Sequence, residues 1–142
     1  MYLAVREPEL ATIQQISDQY GISRGHLMVL VNRLGNLGFL ENVRGRGGGV
    51  RLARPAAQIR LGEVVSAVEP NFHLVECFHP ESNHCLITRP CRLRKVLDQA
   101  LEAWMAVLNE YTLADLVRRN SALSQLLSYS GGKEAELGQR PQ

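Results

Sequence analysis

Two short segments with helical apolar spacing meet at one glycine, and that junction constrains this 142-residue chain more than any other feature. In Thr12-Ile13-Gln14-Gln15 the threonine oxygen can take the amide three residues on, while the glutamine side chain returns to the threonine amide. Ile13, Ile16 and Tyr20 follow at helical spacing, which predicts a helix over 12–20. Gly21 suits a left-handed helix end, Ile22 can tuck into a core, and Ser23 can cap a second helix. In that helix Leu27, Leu30, Val31 and Leu34 fall at i, i+3, i+4 and i+7, one apolar stripe that leaves Arg24, His26, Met28, Asn32 and Arg33 elsewhere. Helix, glycine turn, helix is the helix-turn-helix pattern.

Gly38 is placed to end the second helix, and residues 39–43 read as a strand with 50–53 as its return. Between them Arg44-Gly45-Arg46-Gly47-Gly48-Gly49 combines charge with glycines that accept positive φ and let backbone approach a surface closely. No Gly-Lys-Ser/Thr opens a following helix, so this is a basic hairpin rather than a phosphate-binding P-loop. A basic hairpin after a helix-turn-helix makes a winged helix.

Leu61, Val64, Val65 and Val68 predict a short amphipathic helix stopped by Pro70. From Cys91 a long helix is expected, with Leu93, Leu97, Ala100, Leu101, Trp104, Leu108 and Tyr111 as its stripe. Its far side is only partly polar, so a core on one side and a partner chain on the other is favoured over a purely intrachain role. Thr112-Leu113-Ala114-Asp115 reads as the cap of a further short helix, and a disordered tail is expected over 130–142. The expected fold is mainly α: a winged helix-turn-helix over 1–69, a cysteine loop over 70–91, and a long dimerisation helix with C-terminal helices over 92–129.

Charge points to the partner. Between Gln19 and Gly62 the only acid is Glu41, against Arg24, Arg33, Arg44, Arg46, Arg51, Arg54 and Arg60. That stretch carries +6 and the rest −4, within a net +2. Neutralising phosphates releases condensed counterions, and arginine can fork onto phosphate or guanine. A solvated face with acids supplied by folding is the other outcome. No apolar run reaches the ~18 residues of a membrane helix and the start has no signal-peptide pattern, so a cytoplasmic protein is expected.

Three cysteines, all between 77 and 91, cannot pair fully within one chain. Cys77 and Cys85 are separated by seven residues and Cys85 and Cys91 by five, too wide for the C-x-x-C pairs of common zinc ribbons. A loop has no fixed side-chain direction, so three thiolates can converge on one soft metal or cluster. Zinc with His79 or His84 as fourth ligand, and three unrelated thiols, remain open. A helix start at Cys91 with Arg92, Arg94 and Lys95 nearby favours thiolate. A thiol redox enzyme using Cys91 would lack both a C-x-x-C pair and a recognisable substrate motif, so no enzyme is expected.

The run Tyr20-Gly21-Ile22-Ser23, the wing from Val43 through Arg51-Leu52, Cys77 with Cys85-Leu86-Ile87-Thr88-Arg89-Pro90-Cys91-Arg92-Leu93, and Tyr111-Thr112-Leu113-Ala114-Asp115-Leu116-Val117 together resemble the winged-helix iron–sulfur transcriptional repressors. The likeness spans nearly the whole chain and is strongest to the nitric-oxide-sensing branch. The cluster-assembly branch carries a histidine three residues after its third cysteine, where this chain has Arg94.

The resemblance implies a homodimer on double-stranded operator DNA. Cys77, Cys85 and Cys91 would hold an iron–sulfur cluster, 2Fe–2S or 4Fe–4S, with a fourth ligand outside the cysteine loop. Nitric oxide would act on the cluster, release DNA and relieve repression of nitrosative-stress genes. The alternative is a zinc-stabilised winged-helix regulator without redox sensing. Ser23, Arg24 and His26 are expected nearest base edges in the major groove, with Arg33 near the backbone. Arg44, Arg46 and Arg51, with Gly47 and Gly48 at the wing, are expected on phosphates or in the minor groove. Members of the family usually carry a further helix, roughly one and a half dozen residues, before the position of Met1. Without it, Ile13, Ile16, Leu27, Leu30 and Leu34 are expected to lose apolar cover.

Overall fold

The computed structural model describes residues 1–69 and 71–128. The chain runs through α1 (Tyr2–Val5), α2 (Ile13–Tyr20), α3 (Arg24–Asn36), β1 (Leu40–Val43), β2 (Gly49–Leu52), α4 (Leu61–Val68), α5 (Arg92–Glu110), α6 (Leu113–Val117) and α7 (Ser121–Ser128). Short 3-10 turns lie at Ala56–Gln58 and Glu76–Phe78. Pro70 and the expected tail over 130–142 lie outside the described residues.

The local signals at the front of the chain act as their chemistry requires. Gln15 N–H donates to Thr12 Oγ1 at 3.1 Å, and Thr12 N–H donates to Gln15 Oε1 at 2.8 Å. Gly21 stands at φ 65° and donates to the Ser17 carbonyl at 2.8 Å, a left-handed end that no β-branched residue could take cheaply. Ser23 then accepts the His26 N–H at 3.3 Å and starts α3.

The apolar stripe of α3 is narrower than the spacing suggested. Leu27 and Val31 are buried and Leu34 half-buried, but Leu30 is 36% exposed. At about 100° per residue, Val31 and Leu34 fall within about 40° of Leu27, while Leu30 lies about 60° off and reaches only the flank.

β1 and β2 pair antiparallel, Leu40 opposite Leu52 and Val43 opposite Gly49, one residue off the expected bounds at each strand. Phe39 is buried where the hairpin meets α3: its carbonyl accepts from the Ala53 N–H across the strands, while its N–H donates back to the Leu34 carbonyl and closes the α3–β1 turn. Ala11 and Val50 exchange both backbone hydrogen bonds, at 3.0 and 2.8 Å, tying the segment before α2 to the wing. A Cβ at Gly49 would lie 2.7 Å from the Ala11 carbonyl oxygen, so this junction needs glycine.

Tyr2, Ala11, Ile16, Leu27, Val31, Val50 and Leu127 form one buried cluster, with Leu123 packed against it. Of the residues expected to lose cover, Ile16 and Leu27 are therefore buried and only Leu30 is open. Part of the cover comes from α7, which Gln19 also holds through its Nε2–H donated to the Leu126 carbonyl. The chain returns to the head between α5 and α6: Leu61 N–H donates to the Tyr111 carbonyl and Leu113 N–H to the Ile59 carbonyl. Gly62 permits this closeness, since a Cβ there would meet Asn109 Oδ1 at 2.2 Å.

Helix α5 has an inner face of half-buried Leu97, Leu101, Met105 and Leu108 against α4. Leu93, Ala100, Trp104 and Tyr111, expected on the same stripe, are exposed. No described helix is long and apolar enough to cross a membrane.

Candidate nucleic-acid interface and metal centre

Folding sorts the seven arginines of the basic stretch into two groups. Arg33 donates to the Val68 carbonyl at the end of α4, Arg54 to Glu63 and to the Gln58 carbonyl, and Arg60 to the Asn109 carbonyl. Arg51 Nε donates to Glu41 Oε2 at 2.8 Å across the wing ladder. This hydrogen bond, with the Arg51 charge, holds the Glu41 carboxyl below its ordinary range. Arg24, Arg44 and Arg46 are exposed and, among the described residues, their side chains have no hydrogen bond or ion pair. They stand at the start of α3 and in the turn of the wing, the two places a winged helix offers to a duplex.

His26 is exposed one turn into α3, and Ser23 combines exposure with capping. Arg33 and Arg51, read from sequence as DNA contacts, already have protein partners and would reach phosphate by sharing or leaving them. The wing glycines also have internal reasons: Gly45 and Gly47 take φ 104° and 79°, and a Cβ on Gly48 would meet the Val43 carbonyl oxygen at 2.3 Å. Gly47 is exposed and Gly48 half-buried.

The three cysteines come together. Cys77 lies in the 3-10 turn, Cys85 in the following loop and Cys91 at the N-cap of α5, yet all three line one cavity of about 210 Å³. Val75, Ile87 and Leu93 supply apolar wall, and Glu76 and Arg94 add one charge of each sign. All three thiols are free and half-buried. Cys85 is fixed by its neighbours: its N–H donates to Asn83 Oδ1 at 3.0 Å, and its carbonyl accepts from Thr88 Oγ1 at 2.7 Å.

No histidine lines this cavity. His79 packs against His73 with ring centroids 3.7 Å apart, and His84 Nδ1 lies 3.4 Å from Glu76 Oε1. Among the described residues no three His, Cys, Asp or Glu side chains are placed to hold a single ion. A structural zinc needs four ligands at about 2.0–2.3 Å from one point. Three half-buried thiols on one wall are soft donors of the kind that could hold a metal or an iron–sulfur cluster. Reading by residue type passed over Glu76, Asn83 and Thr88. The available signal was positional, since Glu76 and His84 each immediately precede a cysteine.

Comparison with known proteins identifies the family. Residues 1–119 match the Rrf2 family, described as an iron-dependent transcriptional regulator. The chain is 47% identical over 128 residues to the HTH-type transcriptional regulator NsrR of Bacillus subtilis, covering 89% of this chain and 88% of that one. It is 46% identical to the protein of the same name from Geobacillus kaustophilus, over 91% and 88% of the two chains. The solved structure of CymR, the global cysteine regulator of B. subtilis, superposes with a TM-score of 0.65 at 24% identity, over 80% of this chain and 83% of that one, and shares the fold. The chain belongs to the Rrf2 family of transcriptional regulators.

Proposed function

We propose that this chain is a DNA-binding transcriptional repressor of the NsrR type, holding an iron–sulfur cluster on Cys77, Cys85 and Cys91 and responding to nitric oxide. The observation that carries the reading is the gathering of three widely spaced cysteines on one cavity wall without a histidine. When bound, a cluster supplies iron that nitric oxide can attack. Arg94 stands on the same wall, and Cys91 caps the N-terminus of α5.

The DNA-reading assignment follows the sorted arginines. Arg24, with Ser23 and His26, begins the helix that enters the major groove, while Arg44 and Arg46 with Gly47 and Gly48 bring the wing to phosphates. Arg33 and Arg51 take secondary places because each holds a protein acceptor. The outer face of α5 supports the reading further. Leu93, Val96, Trp104 and Val107 are 46–62% exposed on α5, an apolar face suited to pairing two reading heads on paired half-sites. The work divides as 1–69 for reading, 70–91 for the cluster and 92–129 for dimerisation, in the cytoplasm and at the nucleoid when DNA is bound.

Anaerobic purification tests the reading. Visible absorption that nitric oxide bleaches, together with operator binding lost in the same titration, is the expected result. Colourless protein holding stoichiometric zinc and binding DNA regardless of nitric oxide would replace it with the zinc-stabilised regulator.

A further inference from the structure

We propose that Glu76 is a positioning residue of the cysteine site, its carboxylate closing the loop that carries Cys77 and Cys85. Glu76 Oε1 accepts the backbone N–H of His84 at 2.7 Å. Because Glu76 precedes Cys77 and His84 precedes Cys85, the bond joins the immediate neighbours of two thiols. The significance for a cluster rests on the function proposed above; the clasp itself does not.

Each end of this loop is ordered by itself. On the Cys77 side, Phe78 and His79 N–H groups donate to the Val75 and Glu76 carbonyls at 3.0 and 2.9 Å. On the Cys85 side, Asn83 Nδ2 donates to Thr88 Oγ1 at 3.1 Å, and both residues bond Cys85 backbone. Among the described residues, Glu76 to His84 is the only hydrogen bond joining the two ends. A carboxylate is suited to this place because an ionised acceptor makes a stronger bond to N–H than a neutral one. Closing the loop beforehand removes entropy that thiolate ligation would otherwise have to overcome. Glu76 also lines the cavity, so its carboxylate could instead meet the bound group directly, and the choice of variant separates the two roles.

The test uses the full-length, metal-free protein and cadmium ion, a soft probe of thiolates read by its ultraviolet thiolate-to-metal absorption. Gln at 76 keeps an oxygen acceptor for the His84 N–H, and Ala removes it. Glu76→Ala is expected to weaken cadmium binding and speed exchange of the His84 amide by about tenfold each, the scale of one lost charge-assisted hydrogen bond. Glu76→Gln is expected to stay within about threefold of the parent in both. Unchanged binding and exchange in Glu76→Ala would overturn the clasp. So would a cadmium loss in Glu76→Gln as large as in Glu76→Ala, since that pattern marks a direct carboxylate ligand. Variants that follow the expected cadmium pattern, with a parent that gains no visible absorption from iron and sulfide, would leave the clasp standing and remove the cluster.

Discussion

The reading head and the segment behind it are built on different terms. From Tyr2 to Gly62 the head buries Tyr2, Ala11, Ile16, Leu27, Val31, Phe39, Val50, Ala56 and Ile59. From Glu63 to Leu126 not one described residue is buried, although this stretch holds the three cysteines and the longest helix. The head closes its own core, helped by Leu127 of α7. The cysteine loop and α5 instead present half-covered thiols and apolar side chains, surfaces completed by a bound group and a second copy under the proposed function. A sensor benefits from that inequality: the part that must respond is the part with least internal packing to resist change.

The largest expected effect breaks the comparison on the loop side. Cys77→Ser, Cys85→Ser and Cys91→Ser should each abolish visible absorption and nitric-oxide-sensitive repression, because each removes an anionic ligand, while the far-ultraviolet circular dichroism of the head stays unchanged. His79→Ala and His84→Ala should keep most of the absorption. Unfolding of the head in any cysteine variant would show that the two regions are not independent.

On the head side, Leu27→Ala should destabilise the protein by roughly 2–5 kcal/mol, read by urea denaturation, since a buried leucine leaves a cavity that neighbours fill poorly. Val107→Asp on α5 should hardly move that unfolding transition but should shift the sedimentation coefficient toward monomer and weaken binding to a palindromic operator. A denaturation shift as large as that of Leu27→Ala would mean that α5 stabilises the single chain rather than pairing two.

Smaller effects separate the two groups of arginines. Arg46→Ala should weaken binding on operator and random DNA alike and flatten the salt slope by about 0.9 per lost phosphate contact. Arg24→Ala should also change site preference, as base-edge contacts require. Arg54→Ala, whose partners are Gln58 and Glu63, should leave the slope unchanged.

The smallest effect is electrostatic. The Glu41 carboxyl is held low by Arg51, so the pair's stabilisation is present above the ordinary carboxylate range and is lost as pH falls through the lowered value. Carboxyl NMR should show the Glu41 titration returning to its ordinary position in Arg51→Ala, and added salt should shrink the difference because the pair is exposed.

Much of the architecture was legible in the chain because its signals are local. The capping box at Thr12, the left-handed glycine at 21 and the Ser23 cap each depend on atoms within a few residues, so the sequence contains everything needed to read them. The same holds for the wing glycines and for the long helix from Cys91. Leu30 and Phe39 were less readable, since which flank of a helix is covered and where a strand begins depend on what packs beside them.

The candidate site divides along the same line. Charge and cysteine spacing, with the family resemblance, marked the seven arginines and the three thiols, because residue type alone carries their chemistry. Which arginines remain available was decided by tertiary structure: the acceptors of Arg33, Arg51 and Arg60 lie 35, 10 and 49 residues away in sequence. The sharing of one cavity by Cys77, Cys85 and Cys91 was decided there too, as was the separation of His79 and His84 from it. Irregular loops carry no periodicity from which side-chain direction can be computed, so only the folded chain determines which of their donors face one another.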